Sequence, residues 1–130
     1  MHDLTVEQVL AIHTGIMARD GGDARVLSEG NLHQMVFQAN LLTEPVVRAA
    51  SAMYFLCAYP TFRDGNKRTA HAVADLILAE EGLILPADDP HGFALMQGVM
   101  DFSVETEQIE HYLRTAAGPV QGSGTAGPVR

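Results

Sequence analysis

The strongest constraint on how this chain can fold is a short break between two apolar stretches of helical spacing. Val46, Val47, Ala50, Met53, Tyr54 and Cys57 recur at the three-to-four residue interval of a buried helix face, and Ala70, Val73, Ala74, Leu76, Ile77 and Leu78 do so again. Between them lie Tyr59-Pro60 and Asp64-Gly65-Asn66. Proline has no amide hydrogen and pushes its predecessor out of helical geometry, and Gly65 supplies backbone freedom. The two runs cannot merge into one helix. They form two core helices joined by a loop whose ends are both fixed by the core.

The flanking sequence adds helices and little else. Thr5 with Gln8 has the spacing of a capping box, and Val9, Ile12 and Ile16 carry a first helix to about Arg19, where Asp20-Gly21-Gly22-Asp23 ends it. Ser28 is placed to cap a second helix reaching about Asn40, and Thr43, before Glu44 and Pro45, to cap the third. The fourth runs to Gly82, Asp89-Pro90 starts a fifth through Met100, and Ser103 caps a sixth containing Ile109, Tyr112 and Leu113. Leu83-Ile84-Leu85 is too short to assign. The expected fold class is all-α, about six helices in one domain over 1–117, followed by a flexible tail over 118–130 rich in glycine and proline.

Charge limits what such a domain can bind. A formal net charge of −8 disfavours a broad phosphate-tracking surface, so direct nucleic-acid binding is not expected. The apolar stretches are interrupted well before the roughly 18 residues that span a bilayer, and acid occupies the first segment where a signal peptide carries basic charge. No membrane helix and a cytoplasmic location are the expectations. Cys57, the single cysteine, lies among apolar neighbours and reads as core. His2, His33, His91 and His111 show no metal spacing.

Against this acidic background, Arg63, Lys67 and Arg68 account for three of the eight basic residues and lie within six positions. The loop they occupy leads into a helix, whose first turn leaves amide hydrogens unpaired beside a partial positive charge. That is an anion site in outline. Gly65 allows close backbone approach, Asn66 can fix the loop through side-chain to backbone bonds, and Lys67 and Arg68 add full charges. The bland alternative is an ordinary helix start capped by Asp64.

The string Phe62-Arg63-Asp64-Gly65-Asn66-Lys67-Arg68-Thr69-Ala70 resembles the active-site motif of Fic/Doc proteins, H-x-F-x-[DE]-[AG]-N-[GK]-R, and its Asn-Lys-Arg-Thr ending is similar to the death-on-curing branch. Ile12-His13, Arg19 and Gly21-Gly22 also resemble the start of a death-on-curing toxin. The resemblance implies the Fic/Doc helical fold, with the motif between two central helices. It further implies Mg2+ and a nucleoside triphosphate as cofactors, Asp64 as metal ligand and, with Asn66, catalytic residue, and Phe62, Gly65, Asn66, Lys67 and Arg68 around the phosphates. His13, Arg19 and Tyr59 are candidates for the same cleft. For His13 and Arg19 the bland alternative is solvated or capping polarity on the first helix.

One departure carries as much information as the match. Where the motif has its histidine, two residues before Phe62, this chain has Pro60. A general base needs a proton affinity near neutrality, and proline has none. Tyr59, with a phenol pKa near ~10, would be a poor replacement, and His71 reads as a packed or hydrogen-bonded helix residue. Three functions follow: a protein of a toxin-antitoxin type that binds nucleotide or phosphate with impaired transfer, an active transferase moving a phosphoryl or AMP group to a protein hydroxyl, and a non-catalytic helical interaction module. The autoinhibitory string Ser/Thr-x-x-x-Glu-Gly/Asn is absent, so the resemblance implies a separate antitoxin peptide, besides a protein target, as partner.

Overall fold

A computed structural model describes residues 2–119. Six helices follow one another: α1 (Val6–Asp20), α2 (Glu29–Asn40), α3 (Pro45–Ala58), α4 (Asn66–Ala79), α5 (Pro90–Met100) and α6 (Thr106–Ala116). No described helix is long and apolar enough to cross a membrane. The all-α expectation holds, with one small addition. Leu83–Ile84 (β1) pairs antiparallel with Gly118–Pro119 (β2), Leu83 opposite Pro119. Those last two residues were expected in the tail, and the ladder instead returns the chain to the end of α4. The rest of that expected tail, 120–130, lies outside the described residues.

The bundle is built around α3, which packs on α2, α4, α5 and α6. Its buried residues include Ala49, Ala50 and Ala52, small side chains that let neighbouring helices approach closely, and the larger Met53 and Leu56. α1 packs across α4 and α2. Ends follow local chemistry. Thr5 and Gln8 form the capping box, Ser28 Oγ accepts the Asn31 amide at 3.0 Å, and Gly21 leaves α1 at φ 81°.

Two caps differ from expectation. α3 is capped by Glu44, whose carboxylate accepts the Val47 amide at 2.8 Å, not by Thr43. Pro45 is the first helical residue, and the residue before a proline is the one forced into extended geometry. Ser103 does not cap α6 either. Its amide and hydroxyl both close onto the Gly98 carbonyl, finishing the turn after α5, and Glu105 is the cap, its amide donating to Gln108 Oε1 at 2.9 Å.

A buried cation ties the amino-terminal strap to the bundle. Arg48 is 2% exposed, with neutral acceptors: the Ala39 and His2 carbonyls at 3.2 Å and Asn40 Oδ1 at 3.0 Å. It meets the negative end of the α2 dipole, which favours a cation. Asn40 in turn holds Leu4 through both its amide and its carbonyl, each at 2.8 Å.

Candidate functional site

The segment joining α3 to α4 is held from below and from one side. Phe62 is fully buried and stacks on His13 of α1 with ring centroids 3.6 Å apart and planes 8° from parallel. His13, itself 1% exposed, donates from Nε2 to the Asp64 carbonyl at 2.7 Å. The carbonyl can only accept, so that nitrogen carries the proton. Beside the loop, Val26 bridges Phe62, the Leu27 amide donates to the Thr61 carbonyl at 2.8 Å, and the Arg63 amide donates to the Arg25 carbonyl at 2.9 Å. The α1–α2 connection and the loop form a short antiparallel seam.

Asn66 closes the turn on itself. Its Oδ1 accepts the Phe62 amide at 3.1 Å and its Nδ2 donates to the Phe62 carbonyl at 2.8 Å. Gly65 is left-handed at φ 84° and directly precedes α4, and a side chain there would collide with the Met17 methyl group. No side chain caps α4. Asp64 is not its cap: Asp64 Oδ2 accepts the Asp23 amide at 2.8 Å. The first amides of α4 therefore remain available at the positive end of the helix dipole.

These groups line a cavity of about 600 Å³ whose floor is Arg63 to Arg68 and whose opposite wall is Asp88, Pro90, Phe93 and Met100. That volume suits a nucleotide-sized ligand. The wall comes from α5 and the turn before it, where Asp88 takes φ 56°. The two motif cations point to different neighbours. Lys67 Nζ donates to Gln97 Oε1 of α5 at 2.7 Å, and Arg68 Nη1 donates to Asp20 Oδ2 at the end of α1 at 3.0 Å. Hydrogen bonds from Arg19 and then Arg68 hold the Asp20 carboxyl well below its ordinary range, at about 2. Asp23 is held at about 2 as well, mainly by the Arg25 guanidinium.

The structure thus brings Asp64, Gly65, Asn66, Lys67 and Arg68 to one cavity and leaves other candidates outside it. Phe62 lies wholly beneath the loop, where it can anchor but not touch a ligand. Asn66 spends its side chain on Phe62 and offers a backbone amide. His13 is neither solvated nor a cap: it is the post under the loop. Tyr59 is exposed against Phe55, and Pro60 is exposed with its carbonyl accepting Asn31 Nδ2 at 2.8 Å; neither lines the cavity. Arg19 lines an adjoining cavity of about 710 Å³ that shares Arg68, Asp88 and Phe93 with the first. His71 also faces that second space, hydrogen-bonded to the Pro86 carbonyl at 3.0 Å and stacked on Phe93.

Asp20, Asp88, Phe93 and Met100 escaped the sequence reading, because their approach to the loop spans many residues of chain. His13 did leave a signal, since Val9, His13, Ile16 and Met17 share one helical face. Cys57 is buried and its thiol is pushed up to about 12, which removes it as a nucleophile at neutral pH.

A magnesium ion is tested by its donor set. No group of three or more His, Cys, Asp or Glu side chains that could hold a metal occurs among the described residues. Asp64 presents one oriented carboxylate to the cavity. Mg2+ commonly takes one or two protein carboxylates and completes its octahedron with phosphates and water. The residues therefore fit an ion that arrives with a polyphosphate.

A family model described as the Fic/DOC family matches residues 3–78, from before α1 almost to the end of α4 and across the whole loop. No curated protein matches the sequence.

Proposed function

Because the chain belongs to the Fic/DOC family, we propose that it binds the phosphates of a nucleotide on the Phe62–Arg68 loop, with transfer chemistry impaired by the absence of a general base. The observation that carries this reading is the open start of α4, with Gly65, Lys67 and Arg68 on the floor of a nucleotide-sized cavity and no histidine among its lining residues.

Each residue has a share in the binding step. The amides of Asn66 to Arg68 donate to phosphate oxygens, Gly65 allows the approach, and the Arg68 and Lys67 cations neutralise charge. Asp64 would hold Mg2+, which when bound neutralises phosphate charge and orients the leaving group. Asp23 and His13 keep Asp64 in place through its carboxylate and its carbonyl. Phe93 and Met100 offer an apolar wall for a base. The missing step is proton removal from an acceptor hydroxyl. Its loss costs about a hundred- to ten-thousandfold in rate.

A second reading, an active transferase that moves a phosphoryl or adenylyl group to a protein hydroxyl, is favoured by the preset Asp64 carboxylate. In either reading the biological setting is a toxin-antitoxin type system in the cytoplasm, with an antitoxin peptide that folds on binding and a protein target. Isothermal titration with ATP, ADP and AMP in magnesium, beside an assay of label transfer, tests the proposal. Binding without transfer is expected. Transfer at rates ordinary for such enzymes selects the second reading, and no binding leaves a helical interaction module.

A further inference from the structure

We propose that Asp20 is a built-in competitor for the anion site, a carboxylate that occupies Arg68 until a phosphate displaces it. The inference rests on the nucleotide-binding reading and adds a regulatory contact to it.

Arg68 is the third residue of α4, and Asp20 is the last of α1. They meet at 3.0 Å between Arg68 Nη1 and Asp20 Oδ2. Arg19 also grips the carboxylate, Nε to Oδ1 at 2.8 Å and Nη2 to Oδ2 at 3.0 Å. Asp20 Oδ2 is thus shared by two guanidinium groups. A carboxylate gripped by two arginines has the charge and acceptor pattern that a phosphate oxygen would have there. Geometry also separates the partners. Arg68 lines both cavities, while Asp20 lines only the second, so the arginine is shared between the cavity of the anion site and the carboxylate next to it. Because Asp20 holds its proton only near pH 2, it is a full negative charge at neutral pH.

An incoming polyphosphate then meets two costs. It must share or replace a hydrogen bond that Arg68 already makes, and it must approach a fixed negative charge a few ångströms beyond the guanidinium. The repulsion vanishes when the carboxylate becomes an amide or a methyl group, whereas the hydrogen bond is only weakened by the amide, whose carbonyl oxygen still accepts, and is lost with the methyl group. The pair is partly exposed, so the first cost is modest, and the second grows with the charge of the ligand.

The test is calorimetric titration with Mg-ATP and with inorganic pyrophosphate, on the parent, Asp20→Asn, Arg68→Ala and the double variant. Asp20 is exposed, and Asp20→Ala serves as a second replacement, with thermal melting as the check on folding. Asp20→Asn should tighten binding about threefold to thirtyfold, the sum of a weakened exposed pair and a removed repulsion, and Asp20→Ala at least as much. In the Arg68→Ala background the same change should gain clearly less, because the contested cation is gone. Parent binding with no gain from either Asp20 replacement, or an equal gain without Arg68, overturns the competitor and leaves the nucleotide reading intact. Absence of binding by the parent and by both Asp20 variants overturns both.

Discussion

Replacing His13 separates the support of the loop from its chemistry, because His13 touches the loop only from beneath. It makes two contacts that can be removed in turn: the stack on Phe62 and the hydrogen bond to the Asp64 carbonyl. His13→Phe keeps a ring in the stack and deletes the donor. An acceptor left without its donor costs about 1 to 3 kcal/mol, and Asp64 is exposed enough for water to hold the loss near the lower figure. His13→Ala removes the stack too, about 0.5 to 1.5 kcal/mol, and opens a void in a site that is 1% exposed. Its total should reach about 3 to 5 kcal/mol. For a domain of this length each kcal/mol lowers Tm by roughly 3 to 5 °C, so scanning calorimetry should give losses of about 4 °C for the phenylalanine and at least 10 °C for the alanine. Nucleotide affinity, measured by titration well below either Tm, should fall in the same order as the Asp64 carbonyl loses its tether. Two variants as stable as the parent would show that the loop does not depend on the post under it.

Three further outcomes follow from the same geometry. Arg68→Ala should weaken Mg-ATP binding about tenfold to a hundredfold, and more than Lys67→Ala, because a guanidinium can make paired charged hydrogen bonds where the ammonium offers a single mobile charge; equal small effects in titration would contradict this. Pro60→His should not restore full label transfer alone, since position 60 lies off the cavity wall with its carbonyl tied to Asn31, and full activity in that variant would show that only the base was missing. Asp20 and Asp23 both have carboxyls lowered from 3.8 to about 2, so their stabilisation is complete above about pH 4 and is lost as pH falls toward 2. Circular dichroism should therefore show no contribution from them to pH dependence between 5 and 8, and Asp20→Asn should flatten part of the acid limb.

Much of the fold was legible because its signals are local. Thr5, Ser28, Gly21, Pro60 and Pro90 each act on the few residues beside them, and the helices begin or end there as capping and backbone chemistry require. Where two local rules competed, the stronger one won: Pro45 fixed the cap at Glu44 rather than Thr43, and the turn after α5 took the Ser103 hydroxyl. The motif loop was legible as a candidate because its residue types lie next to one another. What surrounds it was not. Asp20 reaches Arg68 across 48 residues and Gln97 reaches Lys67 across 30, and nothing in the sequence sets those pairings before the helices are packed. Phe62 was misplaced for a related reason, since a motif position says which residue recurs and not whether it faces ligand or core.

If the start of α4 receives phosphate, its amide chemical shifts must respond when Mg-ATP is titrated into the labelled protein. The largest shifts should fall on Gly65, Asn66, Lys67 and Arg68, with smaller ones on Asp64 and the Phe93 wall, and inorganic pyrophosphate should reproduce the first group but not the wall. Saturating nucleotide that leaves those four amides unmoved, or that moves a different surface, would contradict it.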